Sequence, residues 1–433
     1  MSFLELSLKL KGFPFDEAVE ELNRIKSMNP VEFRTWQENK KWEIANYHFL
    51  NTEFYKSLFS NGLPGRWEDL PVLKKSDFQN SEKKTISDQF DKNKIYSGFT
   101  SGSTGEPFNY FKDKYSHAMT WALIKDRYKG FGIDLYSKQA RFYGIPLEKK
   151  EYYMEKFKDI LSNRKRFPVF DLSDNMLQKF LESFRKHSFD FVYGYTNSIV
   201  LFARFLKSKN LILKNECPSL KVCICTSENC HEEDKKIISQ TFGIPAVNEY
   251  GASEVDLIAF EDTEGNWKLS DENVYTEILD EEGNLQVKEG EGRLVFTALH
   301  NRAMPIIRYE IGDRVLTEKR NDKLIIKRLL GGIGDSIILP SGKKSSAVSF
   351  HYITRDILEN SGLLKEFIIR QENPGKFVFE IVSDSEIPEE YLNRIKSKME
   401  LYLEPGLEVK FNRVEKIERT KAGKMKLFYP YIN

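Results

Sequence analysis

Cysteine is scarce in this 433-residue chain: four residues, all in the stretch CPSLKVCICTSENCH that ends on His231. So few thiols in so long a chain exclude a disulfide-stapled scaffold. A zinc reading of Cys217, Cys223, Cys225, Cys230 and His231 is open, but the spacings lack the paired CxxC of ribbon-type sites. KVCIC alternates like a buried strand, and free cysteine is among the most buried side chains, so core residues are expected. An excess of one charge is missing as well. The 66 Lys and Arg balance 65 Asp and Glu, which leaves no global field to steer the chain toward nucleic acid or anionic lipid. Any phosphate binding is then local. No apolar run reaches the roughly 18 residues that span a bilayer. The opening MSFLELSLKLKGFPFDEAVEE lacks a cleavable signal pattern, and a cytoplasmic location is expected. Low-complexity tracts and repeats of solenoid period are absent too.

What remains is a core-forming composition, 40% hydrophobic and 30% charged, over a length that predicts two or three domains. FDEAVEELNRIKSM and the long run from Val31 to Phe59 carry aromatics at helical spacing. DLPVLKKSDFQ, from Asp69, reads as a turn into a helix with Ser76 as its cap. Between about Tyr96 and Arg328, helical patterns alternate with short apolar runs: DFVYGY, LKVCICTSE, IPAVNEYGASE, GRLVFTAL. Such alternation indicates an α/β fold of sheets packed with helices in several layers. LLGGIGDSIILPSGKK then places four glycines between Gly331 and Gly342, a hinge or linker. KEFIIRQ, KFVFEIVS and LEVKFNRVEKI follow as strands and EEYLNRIKSKMELYL as a helix, enough for a small α+β domain. The expected division is residues 1–330 and residues 331–433.

The densest chemical signal is YSGFTSGSTGEPFNY, Tyr96 to Tyr110, in which glycines and hydroxyls crowd Thr100, Ser101, Gly102, Ser103, Thr104 and Gly105. Backbone N–H groups and hydroxyls in such a loop suit polyphosphate oxygens, and the same letters also suit a solvated turn. It is no Walker loop, since GxxxxGK[ST] is missing.

TSGSTGEP, Thr100 to Pro107, resembles the phosphate-loop signature of the adenylate-forming superfamily of acyl- and aryl-CoA ligases, peptide-synthetase adenylation domains and luciferases. Three later segments match that superfamily in its order. NEYGASE, Asn248 to Glu254, resembles YGxSE. The resemblance implies a nucleotide site formed by Asn248, Glu249, Tyr250 and Gly251, with Tyr250 packed on adenine and Glu254 holding magnesium. IIRYEIGDRV resembles the Tyr-Arg-Thr-Gly-Asp segment, which assigns the ribose hydroxyls to Asp313. ERTKAGKMKLF resembles RTxxGK, whose lysine, here Lys424, stabilises charge at the α-phosphate. The implied cofactors are ATP and Mg2+, with CoA as a possible acceptor.

Within the superfamily the chain is most similar to the phenylacetate-CoA ligase family, including its capsular polysaccharide branch. DLPVLKKSDF, DFVYGYTNSIVLFARFL and LKVCICTSE, ending at Glu228, stand where that family has its corresponding stretches. Two departures stand out. The hinge reads Gly331, Gly332, Ile333, Gly334, Asp335, without the usual arginine, leaving Asp335 as hinge residue and Arg328 as a substitute for the missing cation. PSGKKSSAVSF replaces the run that helps form the thiolation face in CoA-dependent relatives. The resemblance therefore implies a ligase that activates a small carboxylic acid and transfers it to a thiol or an amine. An amide-forming ligase acting on an amino sugar, or an inactive nucleotide-binding relative, are the alternatives. Tyr143, Tyr193 and Tyr195 suit either a substrate pocket or the core.

Overall fold

The computed structural model describes residues 3–79, 81–100, 108–144, 149–169, 172, 174–228, 230–285, 289–320, 323–332, 336–342, 344–346, 350, 353–354, 364–383, 385–418 and 428–431. They form two units, Met1–Ile311 with Lys319–Ile325, and Gly312–Glu318 with Ile326–Asn433.

Unit 1 opens with helices α1 (Phe3–Leu10), α2 (Phe15–Lys26), α3 (Pro30–Asn51) and α4 (Glu53–Ser57). α2 buries the stripe Phe15, Ala18, Leu22 and Ile25 that its 3.6-residue periodicity predicts. α3 starts where Asn29 accepts from Val31 N and Glu32 N, Glu32 returns the bond to Asn29 N, and Pro30 fills the first turn. The aromatic-rich run expected as one helix breaks at Thr52, whose backbone is extended. β1 (Leu73–Lys74) and α5 (Lys75–Gln79) follow. Ser76 lies inside the first turn of α5 and does not cap it; Asp77 Oδ2 instead accepts from Lys74 N at 2.7 Å. Next come the antiparallel hairpin β2 (Tyr96–Thr100) and β3 (Phe108–Lys112), then α6 (Lys114–Lys129).

The central run is β4 (Gln139–Phe142), α7 (Lys149–Leu161), β5 (Arg164–Phe167), α8 (Asp174–Lys186), β6 (Phe191–Tyr195), α9 (Thr196–Ser208), α10 (Leu213–Glu216), β7 (Val222–Thr226), α11 (Glu232–Phe242), β8 (Ala246–Ala252), β9 (Asp256–Glu261) and β10 (Trp267–Leu269). Among the described residues its strands make a seven-stranded sheet in the order β10-β9-β8-β7-β6-β4-β5. From β5 to β8 neighbours are parallel; β9 and β10 close the other side antiparallel. One face packs Phe142, Val192, Cys223 and Cys225 against Phe180, Phe184 and Phe202 of α8 and α9, and Cys217 joins that core. The other face sets Phe191, Ile224 and Val247 against α2 and α6. Burial on both faces explains why β7 reads as an almost unbroken apolar run. β4 and β6 approach so closely that a Cβ on Gly194 would lie 2.3 Å from the Phe142 carbonyl oxygen.

β11 (Val274–Leu279), β12 (Gly290–Ala298) and β13 (Tyr309–Arg320) form a further sheet with β1, and the chain passes to unit 2 along β13 and its partner β14 (Lys323–Gly332). Unit 2 continues with the hairpin β15 (Ser336–Ile338) and β16 (Lys344–Ser346), then β17 (Leu364–Asn373), β18 (Lys376–Ser383), α12 (Glu389–Tyr402), β19 (Glu408–Arg413) and β20 (Phe428–Tyr429). The order β19-β18-β17-β20 combines one antiparallel hairpin with parallel outer pairings. Phe350, Phe377, Phe379, Met399 and Phe428 build its core. Among the described residues no helix is long and apolar enough to cross a membrane.

Candidate functional site

β4, β6, β7 and β8 present their carboxyl ends on one edge of the seven-stranded sheet, the edge where open parallel sheets bind ligands. Strand alternation sends successive residues of β8 to opposite faces. Asn248 is buried: its N–H donates to Glu261 Oε2 at 2.8 Å, and its amide nitrogen donates to the same oxygen and to the Cys230 carbonyl, both at 3.2 Å. Glu249 accepts from the Tyr193 hydroxyl at 2.6 Å and from Thr226 Oγ1 at 3.3 Å. Burial raises the Glu249 carboxyl above its ordinary range, and these two donors oppose the rise. Both side chains lace β6, β7, β8 and β9 together beneath the edge. Tyr250 stands half-buried at the strand end, beside a register shift between β8 and β9. Gly251 is required there, because a Cβ would lie 2.6 Å from the Asp256 carbonyl oxygen.

The turn after β8 carries Glu254. It is 7% exposed, and its Oε1 accepts from the Tyr309 hydroxyl at 3.2 Å. Tyr309 is buried at the start of β13, its ring 5.9 Å from Phe78 and 6.2 Å from Phe108 between centroids. Phe108 pairs with Thr100 across the β2/β3 hairpin, so both ends of the glycine-rich segment are held beside Tyr309 and Glu254. Lys112 of the same hairpin forms an ion pair with Asp256, a non-glycine residue at φ 87°.

Arg308 precedes Tyr309 at φ 44°, a left-handed conformation that surrounding contacts must hold in place. Its buried guanidinium meets Glu277 at 3.1 Å and donates to the carbonyls of Glu68 at 2.7 Å and Leu70 at 2.5 Å. Trp67 Nε1 donates to Glu277 Oε2 at 3.0 Å. Burial pushes the Glu277 carboxyl upward, while Arg308 favours its charge. DLP, ahead of the hairpin, is thereby pinned to the strand bearing the third motif. Glu228 does similar work at the end of β7: its Oε2 accepts from Asn197 N at 2.8 Å, placing a carboxylate at the N-terminus of α9.

The three tyrosines belong to this edge as well. The Tyr143 ring lies tilted 4.2 Å from Tyr195 and stacked 5.9 Å from Tyr193, between centroids. The Arg141 guanidinium sits 4.3 Å from the Tyr143 ring centre, and its Nε is buried without a hydrogen-bond partner among the described residues.

Of the residues singled out in the sequence, Glu254, Asn248, Glu249, Tyr250 and Gly251 thus meet at one edge of unit 1. Thr100 ends β2, and Asp313 and Arg328 are half-buried on β13 and β14 within unit 2. Ser101, Gly102, Ser103, Thr104, Gly105, Asp335 and Lys424 lie outside the described residues. Tyr309 and Arg308 stood inside a quoted motif without being assigned work. Glu277 and Thr226 carry no sequence signal, being ordinary strand letters whose partners are remote in the chain, and Tyr193, noted only as a pocket or core aromatic, gives no sign of its bond to Glu249. Glu254 offers one carboxylate oxygen to the Tyr309 hydroxyl, and among the described residues no group of three or more His, Cys, Asp or Glu side chains could hold a metal ion. A single carboxylate suits a hard cation that keeps its waters and takes its other ligands from substrate phosphates.

No protein-family profile matches the chain. Protein CapK of Staphylococcus aureus is 22% identical over 98% of this chain and 95% of its own length. The phenylacetate-coenzyme A ligase of Escherichia coli K12 is 29% identical over 31% of this chain and 34% of its own. In fold the chain is similar to 2-hydroxyisobutyryl-CoA ligase in the postadenylation state in complex with R3-HIB-AMP, with a TM-score of 0.69, 16% identity and coverage of 94% of this chain and 92% of that one.

Proposed function

We infer that this chain, a member of the adenylate-forming superfamily on the side of the phenylacetate-CoA ligases and CapK, joins a carboxylic acid to ATP as an acyl-adenylate and then passes the acyl group to a thiol or an amine. One observation supports this reading most strongly. Tyr309, from the third motif, donates to Glu254 of the second and packs on Phe108, which closes the first. Three segments far apart in sequence thus meet at Tyr309.

Carboxylates are poor electrophiles. Attack of a substrate carboxylate oxygen on the α-phosphorus forms the C(O)–O–P linkage and breaks the bond to pyrophosphate, after which AMP is the leaving group. No side-chain nucleophile is needed; the protein binds, orients and neutralises charge. In this reading Thr100 to Gly105 wraps the phosphates, Tyr250 packs on adenine and Asp313 accepts from the ribose hydroxyls. Glu254 holds Mg2+, which shields the triphosphate. Lys424 stabilises charge at the reacting phosphate, and Arg328 stands in for the absent hinge arginine. The smaller C-terminal domain then moves about Asp335 for transfer.

PSGKKSSAVSF, in place of the run that forms a thiolation face, favours an amine acceptor such as an amino sugar in surface polysaccharide assembly over CoA. ATP–pyrophosphate exchange across aliphatic, aromatic and hydroxy acids tests the first step. Exchange with one acid class should fall about a hundredfold or more in Lys424→Ala. ATP binding without exchange for any acid would instead indicate a nucleotide-binding relative. For the second step, turnover that needs an added amine and ignores CoA supports the amide reading; the reverse result supports thioester formation.

A further inference from the structure

Arg141 is a cation without an anion of its own. The parallel register of β4, β6, β7 and β8 sets it level with Tyr193, Ile224 and Val247, one pleat below Tyr195, Thr226 and Glu249. Register partners in a parallel sheet point to the same face, so Arg141 lies on the face of Tyr193 and Glu249, beneath the carboxyl edge. Its guanidinium sits 4.3 Å from the Tyr143 ring centre and 5.1 Å from that of Tyr193. Ring faces attract a cation but leave its in-plane N–H donors unmet. Nη1 reaches Gln139 Oε1 at 3.4 Å, the long end of hydrogen bonding, while buried Nε and Nη2 have no partner among the described residues. The carboxylates around it are engaged elsewhere. Asp159 meets Arg164 and Arg166, Glu155 meets Arg166, and Glu249 accepts from Tyr193 and Thr226.

A guanidinium withdrawn from water needs acceptors to replace its hydration. Burial is the largest influence on the charge of Arg141 and of Glu249, yet both stay half-exposed, as do Tyr143 and Tyr193. Side chains that are deep and still accessible line a concavity. Its wall is tied to the end of β7, where the Tyr143 hydroxyl stands 3.3 Å from Ser227 Oγ. The acceptor that completes Arg141 therefore comes from a ligand.

Which ligand follows from the acid-activation reading above, on which this step rests. There the reacting carboxylate lies near Tyr250 and Glu254, beyond the end of β8. β4 and β8 stand three strand spacings apart, roughly 14 Å, so one carboxylate does not serve both places. The Nη1–Nη2 end of a guanidinium fork matches a carboxylate with two parallel bonds. Glu249, across Tyr193, disfavours a dianion such as phosphate by like-charge repulsion. We propose that Arg141 selects the substrate, an acid with a second carboxylate that the guanidinium receives against Tyr143 and Tyr193 while the first carboxylate reacts at the nucleotide.

Calorimetric titration of the full chain tests this with succinate, glutarate, adipate and terephthalate, and with the monomethyl ester of each. It is run with and without α,β-methylene-ATP, which occupies the nucleotide site and cannot release pyrophosphate. At least one diacid should bind about tenfold or more tighter than its own ester, which keeps the length and loses the second charge. Arg141→Gln should bring that ratio to about one, and Arg141→Lys, which keeps the charge without the fork, should restore part of it. Circular dichroism and urea midpoints check that both variants fold. Pyrophosphate exchange with the same acids separates this proposal from the reading beneath it. A diacid preference lost in Arg141→Gln, with no exchange for any acid, would overturn adenylation and leave the Arg141 site standing. Diacids bound no tighter than their esters overturn the proposal, and exchange with monocarboxylic acids would then leave adenylation standing. A diacid preference that Arg141→Gln retains overturns it equally.

Discussion

Tyr309 carries its hydroxyl to Glu254, a residue of another motif. Removing it in Tyr309→Phe keeps the ring between Phe78 and Phe108 and deletes only the bond to Glu254. The fold should survive; if Glu254 holds Mg2+ as proposed, pyrophosphate exchange should fall about tenfold with a higher Mg2+ requirement. An unchanged Mg2+ dependence would detach Tyr309 from the site. Asp271 illustrates a cost carried by one carboxyl. Burial, with Glu272 beside it, raises its pKa from 3.8 to about 6, and Arg127 opposes the rise. The folded chain therefore keeps this proton over a range where the unfolded chain has lost it. Stability falls as pH climbs from 3.8 to about 6, and the loss persists above. Asp271→Asn should accordingly stabilise by roughly 1–3 kcal/mol near pH ~7 and by nothing at pH ~3, read from urea midpoints at both pH values.

Elements are joined by charges that have left water. Arg308 and Glu277 tie the segment from Trp67 to Leu70 to β11 and β13, and the pair is nearly solvent-free. Arg308→Ala strands the Glu277 carboxylate and two carbonyls, and should cost about 3–5 kcal/mol. Glu277→Gln added to it should recover part of that loss, since the lone buried charge disappears. Equal stability of the single and double variants in denaturant titrations would show that the carbonyl contacts, and not the ion pair, set the energy. α7 uses the same physics for orientation: Arg164 and Arg166 face Asp159 and Glu155, and that choice leaves an apolar stripe outside.

For the whole molecule, the two proposed half-reactions make different demands on the segment around residue 335, which falls inside unit 2 and not at a boundary between the units. If the second step needs motion about residue 335, Asp335→Pro should leave pyrophosphate exchange within about twofold of wild type and reduce acyl transfer about tenfold or more, because proline fixes φ where rotation is required. Loss of both steps in equal measure would count against a hinge there.

Periodicity and letter patterns by themselves determined most of the architecture. The runs DFVYGY, LKVCICTSE, IPAVNEYGASE, KEFIIRQ and KFVFEIVS become β6, β7, β8, β17 and β18, and β7, buried at every position, is apolar almost throughout because both its faces are covered. Motif order likewise pointed to the superfamily, and it supplied Glu254 and Tyr250 as residues of the proposed site. It could not say that Asn248 and Glu249 of the same motif bond Glu261 and Tyr193, since the face a strand residue occupies depends on register with neighbours far along the chain. Nor could it find Tyr309 as the partner of Glu254, or learn that α7 faces outward. Those were decided only by the tertiary structure, in which buried charges must find partners and the partners lie wherever the sheet brings them.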